Sequence, residues 1–97
     1  MNLAGLNFQG ETFLIADGDS YCLDLMRRML EMTGAEVLDA HTGDEAIKIM
    51  LTNENVTSAI LSSELPVFSG LEVVKQVTNL RDDILFFYVN NQSLSHV

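Results

Sequence analysis

Residues 13–21 read FLIADGDSY. Four apolar residues, Phe13 to Ala16, run without interruption into Asp17 and Asp19, which flank Gly18. A short, continuously apolar run that stops at turn-formers is the pattern of a strand buried on both faces. Such strands belong to parallel sheets, in which helices cover both faces. The aspartates would then sit at the strand's C-terminal end, where sheets of this kind gather their functional groups.

The rest of the chain repeats the pattern. Ser20 to Thr33 suits a helix whose apolar face carries Cys22, Leu25, Met26, Met29, Leu30 and Thr33, with Asp19 or Ser20 as cap and Gly34 as stop. Residues 35–40, AEVLDA, suit a strand, and Gly43 to Leu51 a second helix with Ala46, Ile47 and Met50 inward. TSAILS, 57–62, is a further buried strand, and after a loop at Pro66 the span Gly70 to Leu80 reads as a helix with Val73, Val74 and Val77 inward. ILFFYV, 84–89, is the most apolar strand. The order β-α-β-α-β-α-β with short loops predicts an α/β fold on an open parallel sheet with right-handed crossovers. Residues 1–12 read as an N-terminal arm, 13–92 as the domain and 93–97 as a tail.

Composition narrows the function classes. At 97 residues and 47% hydrophobic, the chain predicts one packed domain. No apolar run is long enough to span a bilayer, and MNLAGLNFQGET lacks the basic start and apolar stretch of a signal peptide. Five basic residues against fourteen acidic ones give a net charge of −9, which repels nucleic-acid phosphates and anionic lipid. A single cysteine, Cys22, fits a reducing compartment, so the expected location is cytoplasmic. On a core-facing helix it reads as a small apolar residue, and Met26, Met29, Met32 and Met50 read as packing residues.

Three segments, in order and at matching spacing, resemble the receiver domain of bacterial response regulators. FLIADGDS is similar to the family's first strand and its acidic end. GAEVLDAHTGDEAI resembles G-x-x-V-x-x-A-x-x-G-x-E-A-L, with Ala40, Gly43, Glu45 and Ala46 in register. SAILSSELPVFSGLEVV resembles the third strand, its proline-containing loop and the glycine that opens the third helix. The resemblance covers residues 12–92 and implies a chemotaxis-regulator-like (flavodoxin-like) receiver fold of strand order 2-1-3-4, lacking the last α-β-α.

The family's chemistry is phosphorylation of an aspartate ending the third strand. A divalent metal held by that aspartate and an acidic pair after the first strand assists, and a Thr or Ser and a Lys on later strands read the phosphate. Here the resemblance places Asp17 at the first acidic position, Gly18 at the second, Ser62 at the acceptor and Asn90 at the Thr/Ser position. A serine hydroxyl is a poor nucleophile without a base, and hard cations require several oxygens. Asp17, Asp19 and Glu64 are the substitute metal candidates. The expectation is a degenerate receiver with no metal, no cofactor and no enzymatic activity. The alternatives are a haloacid-dehalogenase-like phosphatase using Asp17 and Asp19 with Ser62, and a piece cut from a longer response regulator.

Without a fifth strand, ILFFYV would be an edge strand, a template for pairing with another chain. Without a fifth helix, apolar surface beside the first helix would be uncovered. The expected partner is therefore a second copy, or another protein covering the fourth-strand edge, with Ile84, Phe86, Phe87, Tyr88 and Val89 as contacts and neither nucleic acid nor membrane bound.

Overall fold

The computed structural model describes residues 5–89. Its elements, in chain order, are β1 (Thr12–Ala16), α1 (Ser20–Glu31), β2 (Glu36–Ala40), α2 (Gly43–Thr52), β3 (Val56–Ser62), α3 (Gly70–Thr78) and β4 (Leu85–Val89). The four strands form one sheet in the order β2-β1-β3-β4, every pairing parallel. β1 pairs on both sides, and all five of its residues are buried, which is why FLIA shows no alternation. The register slips once: Thr12 pairs with Val56 but Phe13 with Ser58. The skipped Thr57 compensates with its hydroxyl, which accepts from the Thr12 N–H at 3.3 Å and donates to the Thr12 carbonyl at 3.2 Å.

Side chains alternate across the sheet. Leu14, Ala16, Ala40, Ala59 and Leu61 join Ala46 and Met50 of α2 and Val73 and Val77 of α3 in the larger core, with Ile47 and Val74 half-buried against it. On the opposite face Ile15 and Val37 pack with Leu23, Met26 and Leu30 of α1.

Two expectations for α1 need correction. Leu23 is the buried residue of the helix, at 3% exposure, whereas Leu25 is 49% exposed. The helix carries overlapping apolar stripes, and the sheet selects the one through Leu23, Met26 and Leu30, at i, i+3 and i+7. Met32 is 70% exposed, because α1 ends at Glu31 and the chain turns away at Gly34, whose φ is +87°. Thr33 is buried as expected. The arm is docked from Phe8 onward: the Phe8 N–H donates to the Thr33 carbonyl at 2.7 Å, and the Phe8 and Phe13 rings lie 5.5 Å apart.

Candidate functional site

The C-terminal ends of β1 and β3 bring Asp17, Gly18, Asp19, Ser62 and Glu64 onto one rim of the sheet, together with the β3–α3 loop. Asp17 is 5% exposed. Its backbone N–H donates to the Ala40 carbonyl at 3.1 Å, one step beyond the β1–β2 ladder. Its Oδ1 accepts the Asp19 N–H at 2.9 Å, so the carboxylate closes the turn between strand and helix. Asp19 is the N-cap of α1: its Oδ1 accepts from the Tyr21 N–H at 2.9 Å and its Oδ2 from the Cys22 thiol at 3.6 Å. Partial burial first, and then the charges of Asp19 and Asp17, push the Cys22 thiol above its ordinary pKa, so it is held as a thiol.

Ser62 ends β3 and is 6% exposed, with its Oγ accepting the Glu64 N–H at 3.3 Å. Glu64 itself is exposed. Gly18 lies against the β3–α3 loop: a Cβ there would stand 3.2 Å from Pro66 Cδ and 3.9 Å from the His41 carbonyl. The loop is tightly folded. The Pro66 carbonyl accepts from both the Phe68 and the Gly43 N–H groups at 2.9 Å. Val67, between them, is held at φ +72°, a conformation that disfavours β-branched residues. Each following helix opens with a polar cap, Thr42 to the Glu45 N–H and Ser69 to the Glu72 N–H, both at 3.3 Å.

At the three described positions where the resemblance calls for carboxylates, Asp17 supplies one, Gly18 none and Ser62 a hydroxyl. Among the described residues, no three His, Cys, Asp or Glu side chains are grouped to hold a metal ion. Asp17 Oδ1 and Asp19 Oδ1 each accept a backbone N–H. Asn90 and the distal His96 lie outside the described residues. The phosphatase arrangement needs a downstream acidic pair after a strand; Asp82 and Asp83 precede β4, and Asp83 is paired with Arg81 at 2.9 Å.

The edge expectations divide. Ile84 is 8% exposed and belongs to the core, so it is removed from the interface set. It sits just before β4, where the chain enters under α2 and α3. Phe86 and Val89 are half-buried, while Phe87 and Tyr88 are exposed. Leu85, passed over in the sequence, is 60% exposed; its register opposite Ser58, two residues before the Ile60–Phe87 pair, puts it on the α1 side of the sheet.

No protein-family model matches the chain. It is 28% identical over 83 residues to the response regulator SaeR of Staphylococcus epidermidis, a match covering 86% of this chain and 35% of SaeR. It is 32% identical over 71 residues to the response regulator MprA of Mycobacterium ulcerans, covering 73% of this chain and 30% of MprA. A cyclic di-GMP phosphodiesterase of Thermotoga maritima is 31% identical over 78 residues, covering 80% of this chain and 20% of that protein. The chain thus spans between a fifth and about a third of the length of these relatives. Among solved structures, the response regulator TrrA of Thermotoga maritima, in complex with Mg2+-BeF, superposes with a TM-score of 0.79 at 26% identity, covering 90% of this chain and 76% of TrrA. A receiver domain protein from Clostridium thermocellum gives 0.80 at 22% identity, covering 89% and 70%. A CheY-like receiver from Methanospirillum hungatei gives 0.77 at 30% identity, covering 82% and 63%.

Proposed function

Since the chain belongs to the receiver family of response regulators, we propose that it is a pseudo-receiver, a phosphorylation-independent protein-interaction module of bacterial two-component signalling. One observation carries this reading. The acceptor position is Ser62, whose buried hydroxyl is used by the Glu64 N–H, beside a metal pocket reduced to Asp17. A phosphoryl group there would meet a neutral nucleophile and no cation to screen its charge. The domain is accordingly not an enzyme and needs no cofactor.

Self-association is the second part of the proposal. Among the described residues β4 pairs only with β3, and Leu85, Phe87 and Tyr88 are exposed along it, which favours a homodimer or a partner protein at this edge over nucleic acid or membrane. We assign a cytoplasmic location on the single cysteine, Cys22, which fits a reducing compartment; among the described residues no helix is long and apolar enough to cross a membrane.

Acetyl phosphate with magnesium tests the central claim. Intact-mass analysis should show no added phosphoryl group. Stable labelling of any residue would overturn the phosphorylation-independent reading.

A further inference from the structure

Among the described residues β2 pairs only with β1, at the end of the sheet opposite β4. Along a strand the backbone N–H and C=O groups point to one side and then the other, residue by residue. The Ala40 carbonyl accepts the Asp17 N–H, and the Glu36 N–H donates to the Glu11 carbonyl. Glu36, Leu38 and Ala40 therefore turn their backbone groups toward β1, and Val37 and Asp39 turn theirs outward. These two residues make the free edge of β2.

One side chain covers that edge. Arg27, on the flank of α1, donates from Nη1 to the Val37 carbonyl at 3.2 Å and from Nη2 to the Asp39 carboxylate at 2.6 Å. The first contact takes one of the two outward carbonyls. The second holds the guanidinium in place: Val37 packs beneath α1, and Asp39, two residues on, projects from the same face of the strand. Glu31 holds Nη1 from the helix side at 3.5 Å. The pair is part-exposed, Arg27 at 31% and Asp39 at 37% of their side chains. Ion pairs in contact with water add little to the stability of a fold, so stability alone does not account for the placement. A strand arriving at β2 would have to displace the guanidinium from Val37 and take the Arg27–Asp39 pair out of water. That desolvation offsets the few hydrogen bonds a five-residue edge can return. Charged side chains turned over an edge strand are a recurrent barrier to pairing with another chain.

We infer that Arg27, held by Asp39, closes the β2 edge against strand addition by a second copy of this chain. Strand-to-strand association is barred at this end of the sheet. The guard uses none of the residues at the phosphorylation-site positions and none of β4, so it stands apart from both parts of the proposed function.

Arg27→Met tests this, because methionine keeps an apolar stem over the sheet and loses the guanidinium. Light scattering on a sizing column, at matched concentrations, should return a higher mass for Arg27→Met than for the unmodified chain. Amide hydrogen exchange, followed residue by residue by NMR, locates the new contact. In Arg27→Met the Val37 and Asp39 amides should become protected as the protein concentration rises; in the unmodified chain they should show no such dependence. Arg27→Lys keeps a charge over the edge and should behave as the unmodified chain does. Far-UV circular dichroism checks folding, and Arg27→Ala takes the place of Arg27→Met if that variant unfolds. An unchanged mass with both amides unprotected in the folded variant would overturn the inference. A higher mass that leaves these two amides unprotected would also overturn it, by placing the new contact elsewhere. Concentration-dependent protection of both amides in the unmodified chain would overturn it as well, since the edge would then be open to pairing with Arg27 in place. Phosphoryl labelling by acetyl phosphate, or loss of the β4 contact, would refute the corresponding part of the proposed function and leave these outcomes as they are.

Discussion

Gly43 and Gly18 look alike in the sequence, each at the start of a helix-bearing segment, yet they differ in what surrounds them. A Cβ on Gly43 would fall 2.3 Å from the Phe68 carbonyl oxygen and 2.7 Å from Phe68 Cβ. The obstacle is backbone, pinned by the hydrogen bonds that converge on Pro66, so it cannot swing aside. A Cβ on Gly18 would meet the Pro66 ring edge at 3.2 Å, a contact that a small loop adjustment relieves. Gly43→Ala should therefore destabilise the domain by roughly 2–4 kcal/mol, despite alanine's better helix propensity, while Gly18→Ala should cost under about 1 kcal/mol. Urea unfolding of the two variants side by side decides this. A near-neutral Gly43→Ala would mean that the β3–α3 loop is not anchored over α2. The same scale explains Asp17 and Asp19. Asp19 caps α1 as its place before the helix implied, and Asp17 Oδ1 accepts the Asp19 N–H in the turn between strand and helix.

At the scale of elements, Arg81 is the main tie between segments distant in sequence. Its guanidinium donates to the carbonyls of Met50 at 2.7 Å, Asn53 at 2.9 Å and Val56 at 3.0 Å, and to Asp83 at 2.9 and 3.0 Å. These acceptors include the end of α2 and the start of β3, so one side chain from the α3–β4 connection fastens three joints. The hydrogen bond to Asp83 comes first in raising the Arg81 pKa, and the same bond lowers that of Asp83. Arg81→Met should cost about 2–3 kcal/mol by leaving helix-end carbonyls unpaired. Arg81→Lys should recover only part of it, since an ammonium lacks the fork that reaches several acceptors at once. The pH signature is separate. A carboxylate with a lowered folded pKa stabilises the fold above its unfolded value, here 3.8, and that contribution is lost as the pH falls through the lower folded value. Arg81→Met should flatten that acid-side slope in stability measured against pH. An unchanged slope would remove Asp83 from the account. None of this was visible in the sequence, where Arg81, Asp82 and Asp83 fall between the third helix and the last strand. Arginine's partners here are mostly backbone carbonyls, which leave no trace in residue identity.

At the scale of the whole molecule, the described residues are asymmetric: three helices cover a four-stranded sheet, two on one side and one on the other. The proposed homodimer predicts that light scattering on a sizing column returns twice the 10.8 kDa chain mass at micromolar concentration, and that Tyr88→Lys on the β4 edge shifts it toward monomer. A monomer at all concentrations would remove self-association.

The order of elements, the parallel sheet and most core positions were fixed by local pattern: continuous apolar runs for strands, helical spacing for Ala46, Met50, Val73 and Val77, and polar caps between them. The loss of acidic groups at positions 18 and 62 was equally legible, because it is a matter of which side chain is present. Only the tertiary structure decided which stripe of α1 faces the sheet, that Ile84 is core while Leu85 is exposed, and that Asp17 accepts the Asp19 N–H across the turn. The division has one physical reason. Strand and helix periodicities are written over a few neighbouring residues, whereas burial of a particular side chain and the partners of a carboxylate depend on what distant segments bring to the same place.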